Sequence, residues 1–136
     1  MLAWLLDEAT APEVRRLLAA SEIIIASDLT LIECDRVLIR AITLGELTEA
    51  QAADRRAQLS SAASHWHILR IAHEIVDRAR QPFPGEPIRT LDAIHLASAL
   101  TARSAIRGLC LLSLDDRVRG AARALGIDVL PPANAL

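Results

Sequence analysis

Leu109-Cys110-Leu111-Leu112, then Ser113-Leu114-Asp115-Asp116 and on through Arg117 to Leu125-Gly126, and finally Ile127-Asp128-Val129-Leu130, is the stretch on which the fold turns. The run 109–112 is apolar and short, as a buried strand is. Asp115 to Leu125 carries helix-forming residues, with an aspartate where an N-cap belongs and Gly126 to stop it. Asp128–Leu130 then reads as a last strand before Pro131-Pro132. A strand, a helix and a strand in this order imply parallel pairing.

The same alternation extends towards the N-terminus. Leu2 to Asp7 reads as the tail of a helix, and a second helix starts near Pro12, a residue suited to a first turn. Ile23-Ile24-Ile25-Ala26 is a β-branched run expected to form a buried parallel strand. Ser27 or Asp28 offers an N-cap for a helix to about Thr43, where Leu31, Cys34, Leu38 and Ile42 form one stripe. Gly45 ends it. Thr48 and Gln51 have the spacing of a capping box that opens a helix to about Ala63. Trp66–Leu69 reads as a strand and 72–80 as a helix. Gln81-Pro82-Phe83-Pro84-Gly85-Glu86-Pro87 is a loop, because its prolines and glycine break both periodicities. Thr90 is expected to cap a helix to about Arg103. The whole pattern predicts a parallel α/β sheet with helices on both faces.

Composition narrows the class. The chain has 136 residues, the length of a single domain over 1–136. Fifteen basic residues against seventeen acidic give a net charge of −2, which excludes a polybasic nucleic-acid coat and a long acidic tail. Aromatics are 2%, so a base-stacking platform is not expected. Cys34 and Cys110 lie in apolar runs, read as small hydrophobes of a reducing compartment. Every basic residue is arginine, compatible with codon bias and with bidentate phosphate recognition alike. No apolar run reaches the roughly 18 residues of a membrane span, and the start lacks a basic region and cleavage site, so a cytoplasmic protein is expected.

Ligands of such sheets sit beyond the carboxyl ends of the strands. No GxGxxG or Walker loop occurs, and without lysine the latter is impossible. Carboxylates are what accumulate at those ends. Asp92 lies in the first turn of a helix that is apolar nearly all round, where an acid needs a partner, a metal or a helix dipole. Asp115 and Asp116 follow the strand 109–112 directly, as metal ligands or as a cap. Glu33 lies one turn into the helix after the first strand. Clustered carboxylates repel unless a cation sits among them, and hard oxygen donors point to Mg²⁺ or Mn²⁺. His65, His67 and His73 match no common zinc spacing. His95, one turn beyond Asp92, orients it or simply packs. A receiver-like signalling domain would need a late lysine that the chain lacks.

These segments resemble the PIN-domain ribonucleases, and among them the VapC-type toxins of toxin–antitoxin pairs. Arg89-Thr90-Leu91-Asp92-Ala93-Ile94-His95-Leu96-Ala97-Ser98-Ala99-Leu100 is similar to the family's third-acid segment. Leu111-Leu112-Ser113-Leu114-Asp115-Asp116-Arg117, with Ala121 to Gly126, is similar to its last acidic motif and closing helix. Ala26-Ser27-Asp28-Leu29-Thr30-Leu31-Ile32-Glu33 resembles the segment of the second acid. The resemblance implies a three-layer α/β/α sandwich and Mg²⁺- or Mn²⁺-dependent cleavage of RNA. It places the catalytic metal site on Glu33, Asp92 and Asp115, with Asp116 adjacent. It also implies a homodimer and a cognate antitoxin, docking near Leu31, Leu38, Ile39 and Ile42. One departure stands out. Family members begin with a strand ending in an aspartate, whereas Met1 here leads straight into Leu2-Ala3-Trp4-Leu5-Leu6-Asp7, so the first strand and first acid are missing. Two readings follow from that departure: an assigned start one strand too late, or a truncated, non-catalytic relative that binds an antitoxin or dimerises without cutting RNA.

Overall fold

The computed structural model describes residues 5–6 and 9–132. The expectations for the first strand, the first acid and the helix over Leu2–Asp7 lie outside these residues, apart from Leu5 and Leu6. Contacts divide the chain into two compact units, with the boundary between Ile68 and Leu69.

In the first unit, α1 (Ala11–Ala19) has Pro12 in its first turn, as its fixed φ favours, and buries Ala11 and Val14. β1 (Ile25–Ser27) begins two residues later than the isoleucine run suggests. α2 (Asp28–Thr43) starts at Ser27, whose side chain makes no capping bond; its Oγ is buried and has no hydrogen-bond partner among the described residues. The helix stops at Leu44, and Gly45 takes the left-handed φ of +72° that ends the turn. Thr48 and Gln51 form the full capping box of α3 (Glu49–Ala63), each side chain bonding the other's backbone amide. β2 (His67–Leu69) pairs with β1, and the His67 amide donates to the Ile24 carbonyl at 2.9 Å. Leu5, Cys34, Leu38 and Leu59 make the core, with Leu31, Leu47 and Trp66 packed against it. Burial pushes the Cys34 thiol up to about 11, so it behaves as an inert hydrophobe. Cys110 departs from that expectation: it is exposed on its strand.

The second unit holds α4 (His73–Ala79), α5 (Thr90–Ala105), β3 (Cys110–Leu112), α6 (Asp116–Ala124) and β4 (Asp128–Leu130). β3 and β4 pair in parallel with Cys110 opposite Asp128 and Leu112 opposite Leu130. This is the strand–helix–strand reading of the opening stretch, and the α/β class follows from it. Gly126, at φ +74°, makes the turn from α6 into β4. Thr90 does not cap α5. Arg89 holds that position, with no side-chain capping bond. The core gathers Ile75, Phe83, Leu96, Ala97, Ala122 and Ile127 among others, and α5 alone buries six residues along its length.

Candidate functional site

Asp92 sits in the first turn of α5, half-buried, directly before the buried Ala93. Small residues at 93, 97, 99 and 102 let α5 lie deep in the core, which carries this carboxylate inward with it. Its Oδ2 is buried and accepts no hydrogen bond among the described residues, while the residue is otherwise engaged. The loop before α5 is closed by Glu86, which accepts from the Phe83 amide at 3.0 Å and from the Ile88 amide. Those two bonds hold the Glu86 carboxyl below its usual range.

Asp115 is the N-cap of α6. Its Oδ1 accepts from the amides of Arg117 at 2.9 Å and Val118 at 3.2 Å, and its own amide donates to Ser113 Oγ at 3.2 Å. The capping role read from the sequence is therefore real, and it employs one oxygen while the residue stays exposed. Asp116 is exposed beside it. α5 reaches β3 through the short turn 106–109 and so runs antiparallel to it, while α6 leaves the carboxyl end of β3. Both helices thus begin at the carboxyl end of the β3–β4 pair, and Ala93 and Val118 share one core. That topology brings Asp92 and Asp115 to the same end of the second unit.

Glu33 belongs to the first unit, half-buried in the second turn of α2 and engaged with other groups. Among the described residues no three His, Cys, Asp or Glu side chains converge closely enough to hold a metal. His65 Nδ1 lies 3.0 Å from the Ser61 carbonyl, His67 is exposed on β2, and His73 meets Asp77 at 2.9 Å. His95 is half-buried and engaged. Of the apolar residues read as a docking surface, Leu31 and Ile42 are half-buried and Ile39 is 41% exposed. Leu38 is fully buried in the core, so it offers no surface to a partner.

One structural residue escaped the sequence reading. Arg119 is 2% exposed and donates to three carbonyls: Ser113 at 2.6 Å, Leu130 at 3.2 Å and Pro131 at 2.7 Å. It ties α6 to the carboxyl ends of both strands, next to Asp115. The signal was its spacing. Positions 115, 118, 119 and 122 form one helical stripe, and arginine on such a stripe is buried only when its donors are met.

An α/β chain with carboxylates at the ends of parallel strands defines a class with many possible chemistries. The PIN domain family model matches residues 1–124, across both units. Ribonuclease VapC46 of Mycobacterium tuberculosis is 38% identical over 96 residues, 71% of this chain and 71% of that protein. Ribonuclease VapC35 of the same species is 43% identical over 53 residues, 39% of each chain. The chain belongs to the PIN-domain family and, within it, to the VapC type.

Proposed function

We propose that this chain is a divalent-metal-dependent endoribonuclease and the toxin of a toxin–antitoxin pair. In this reading it forms one PIN-like domain over 1–136 and works in the cytoplasm as a homodimer. The observation that carries the reading is the family match over residues 1–124, supported by the likeness to a named ribonuclease over most of the chain. No helix among the described residues is long and apolar enough to cross a membrane.

The donor set suits a hard cation. Asp92 and Asp115, with Asp116 adjacent, offer carboxylate oxygens at one end of the second unit, Glu33 is a further candidate ligand in the first, and oxygen ligands of this kind favour Mg²⁺ or Mn²⁺. Bound to them, such an ion would polarise a phosphodiester and make hydroxide available near neutral pH. The protein's own part is placement. Burial of α5 sets the depth of Asp92, and the two α6 amides hold Asp115 by Oδ1 so that Oδ2 is left for another ligand. Ile39, flanked by Leu31 and Ile42, would supply apolar surface to the antitoxin, with Leu38 supporting it from the core.

Incubating the purified chain with RNA and Mg²⁺ tests this directly. Cleavage is expected, and Asp92→Asn should lower it by about a hundredfold or more, as loss of several kcal/mol of metal-derived stabilisation implies. Full cleavage in EDTA, or by the Asn variant, overturns the assignment. A chain that captures antitoxin yet cuts no RNA with any divalent ion is a binding protein instead.

A further inference from the structure

We propose that Arg89 and Arg117 seat the backbone phosphates of the RNA strand on either side of Asp92 and Asp115; this rests on the ribonuclease reading above. A net charge of −2 provides no general attraction for a polyanion. Affinity for RNA comes chiefly from phosphate contacts, so this chain needs local cations close to its acids.

The arginines of the second unit can be sorted by what already occupies them. Arg78 lies over the Phe83 ring, 4.0 Å from its centroid, and Arg80 approaches Asp77 at 4.0 Å. Arg103 donates to the Leu125 carbonyl at 2.7 Å, and Arg119 is consumed by its three carbonyls. Arg107, in the turn before β3, and Arg123, in the last turn of α6, lie at the opposite end of the strands. Arg70 follows β2, which pairs with β1 and not with β3 or β4.

Arg89 and Arg117 remain. Arg89 is the N-cap residue of α5, three positions before Asp92, and its side chain plays no part in the cap. Arg117 is the second residue of α6, two positions after Asp115. Both are exposed, and neither guanidinium forms an ion pair or a hydrogen bond among the described residues. The Arg117 guanidinium makes none although Asp116 adjoins it and Asp115 lies two residues before it. At α6 the amides of Arg117 and Val118 cannot serve a phosphate, because Asp115 Oδ1 has taken them. Guanidinium groups beside the acids supply what backbone amides do not, a full positive charge for the phosphate. A guanidinium fork bonds two phosphate oxygens at once and offsets the repulsion that neighbouring carboxylates exert on the strand.

The test is fluorescence anisotropy of a short fluorescein-labelled single-stranded RNA, titrated with the full chain in EDTA at several salt concentrations. Arg89→Ala and Arg117→Ala are each expected to weaken binding roughly tenfold, and to reduce the slope of log affinity against log salt by about 0.7. Arg107→Ala and Arg123→Ala should bind as the parent does. Melting temperatures of all four should match the parent, since each side chain is exposed. Unchanged affinity and slope in the Arg89 and Arg117 variants, or equal losses in the other two, overturn this inference and leave the ribonuclease reading standing. A parent chain that neither binds nor cuts RNA overturns that reading and the inference with it.

Discussion

The two units are held together on different terms. α3 and α5 are nearly equal in length, 15 and 16 residues, yet α3 buries only Ala52 and Leu59 whereas α5 buries six positions. Among the described residues the first core has four buried members and the second has ten. The first unit buries nearly as many apolar side chains in all, ten against eleven among the described residues, but gathers only four of them into one cluster, and it leaves Ile32, Ile39 and Leu44 exposed. The second gathers ten of its eleven into one cluster and adds a buried arginine that joins helix to strands. That contrast matches their proposed duties. A carboxylate meant to hold an ion gains from a rigid support, while a surface meant for a partner keeps apolar groups uncovered.

Substitutions in the two cores would sharpen or break this contrast. Leu96→Ala removes a fully buried side chain from the larger cluster and should cost about 4 kcal/mol in urea denaturation. Arg119→Met leaves the Ser113 and Pro131 carbonyls without this donor, a loss of about 3 kcal/mol, with Arg119→Lys recovering part of it. Leu59→Ala, in the smaller cluster, should cost about 2 kcal/mol. Equal losses for Leu96→Ala and Leu59→Ala would show that the first core is as tightly packed as the second, and the comparison would fail.

Much of this was legible in the residues because the signals were local. The 109–130 unit, the capping box and the loop over 81–87 each depend on neighbours within a few positions, and each lies where spacing places it. The departures have non-local causes. β1 begins at Ile25, with the Ile24 carbonyl just before it already accepting from the His67 amide, and a run of isoleucines does not reveal that register. Arg89 displaces Thr90 as N-cap because the loop enters the helix one residue earlier, a matter of backbone path. Leu38 and Leu31 looked alike on a helical wheel, and only tertiary packing separates the buried one from its half-buried neighbour. Asp92 and Asp115 could be named from motif order, but Asp115's double commitment, to a cap and to the candidate site, needed its hydrogen bonds.

The smallest expected effect probes a local device of the first unit, the capping box of α3. Thr48→Ala removes the hydroxyl that accepts from the Gln51 amide at 3.2 Å, and it leaves the reciprocal bond from the Thr48 amide to Gln51 Oε1 at 2.9 Å in place. Both groups are exposed, so water replaces the lost acceptor in part, and the cost should be about 1 kcal/mol. Because α3 buries so little, this loss should fray its first turn before it unfolds the chain, and amide exchange over Glu49–Ala52 should quicken more than exchange in α5. Serine at position 48 restores the acceptor and should return exchange to the parent rate. If exchange in α5 quickens equally, the two units unfold together, and the difference in how they are held has no consequence for local stability.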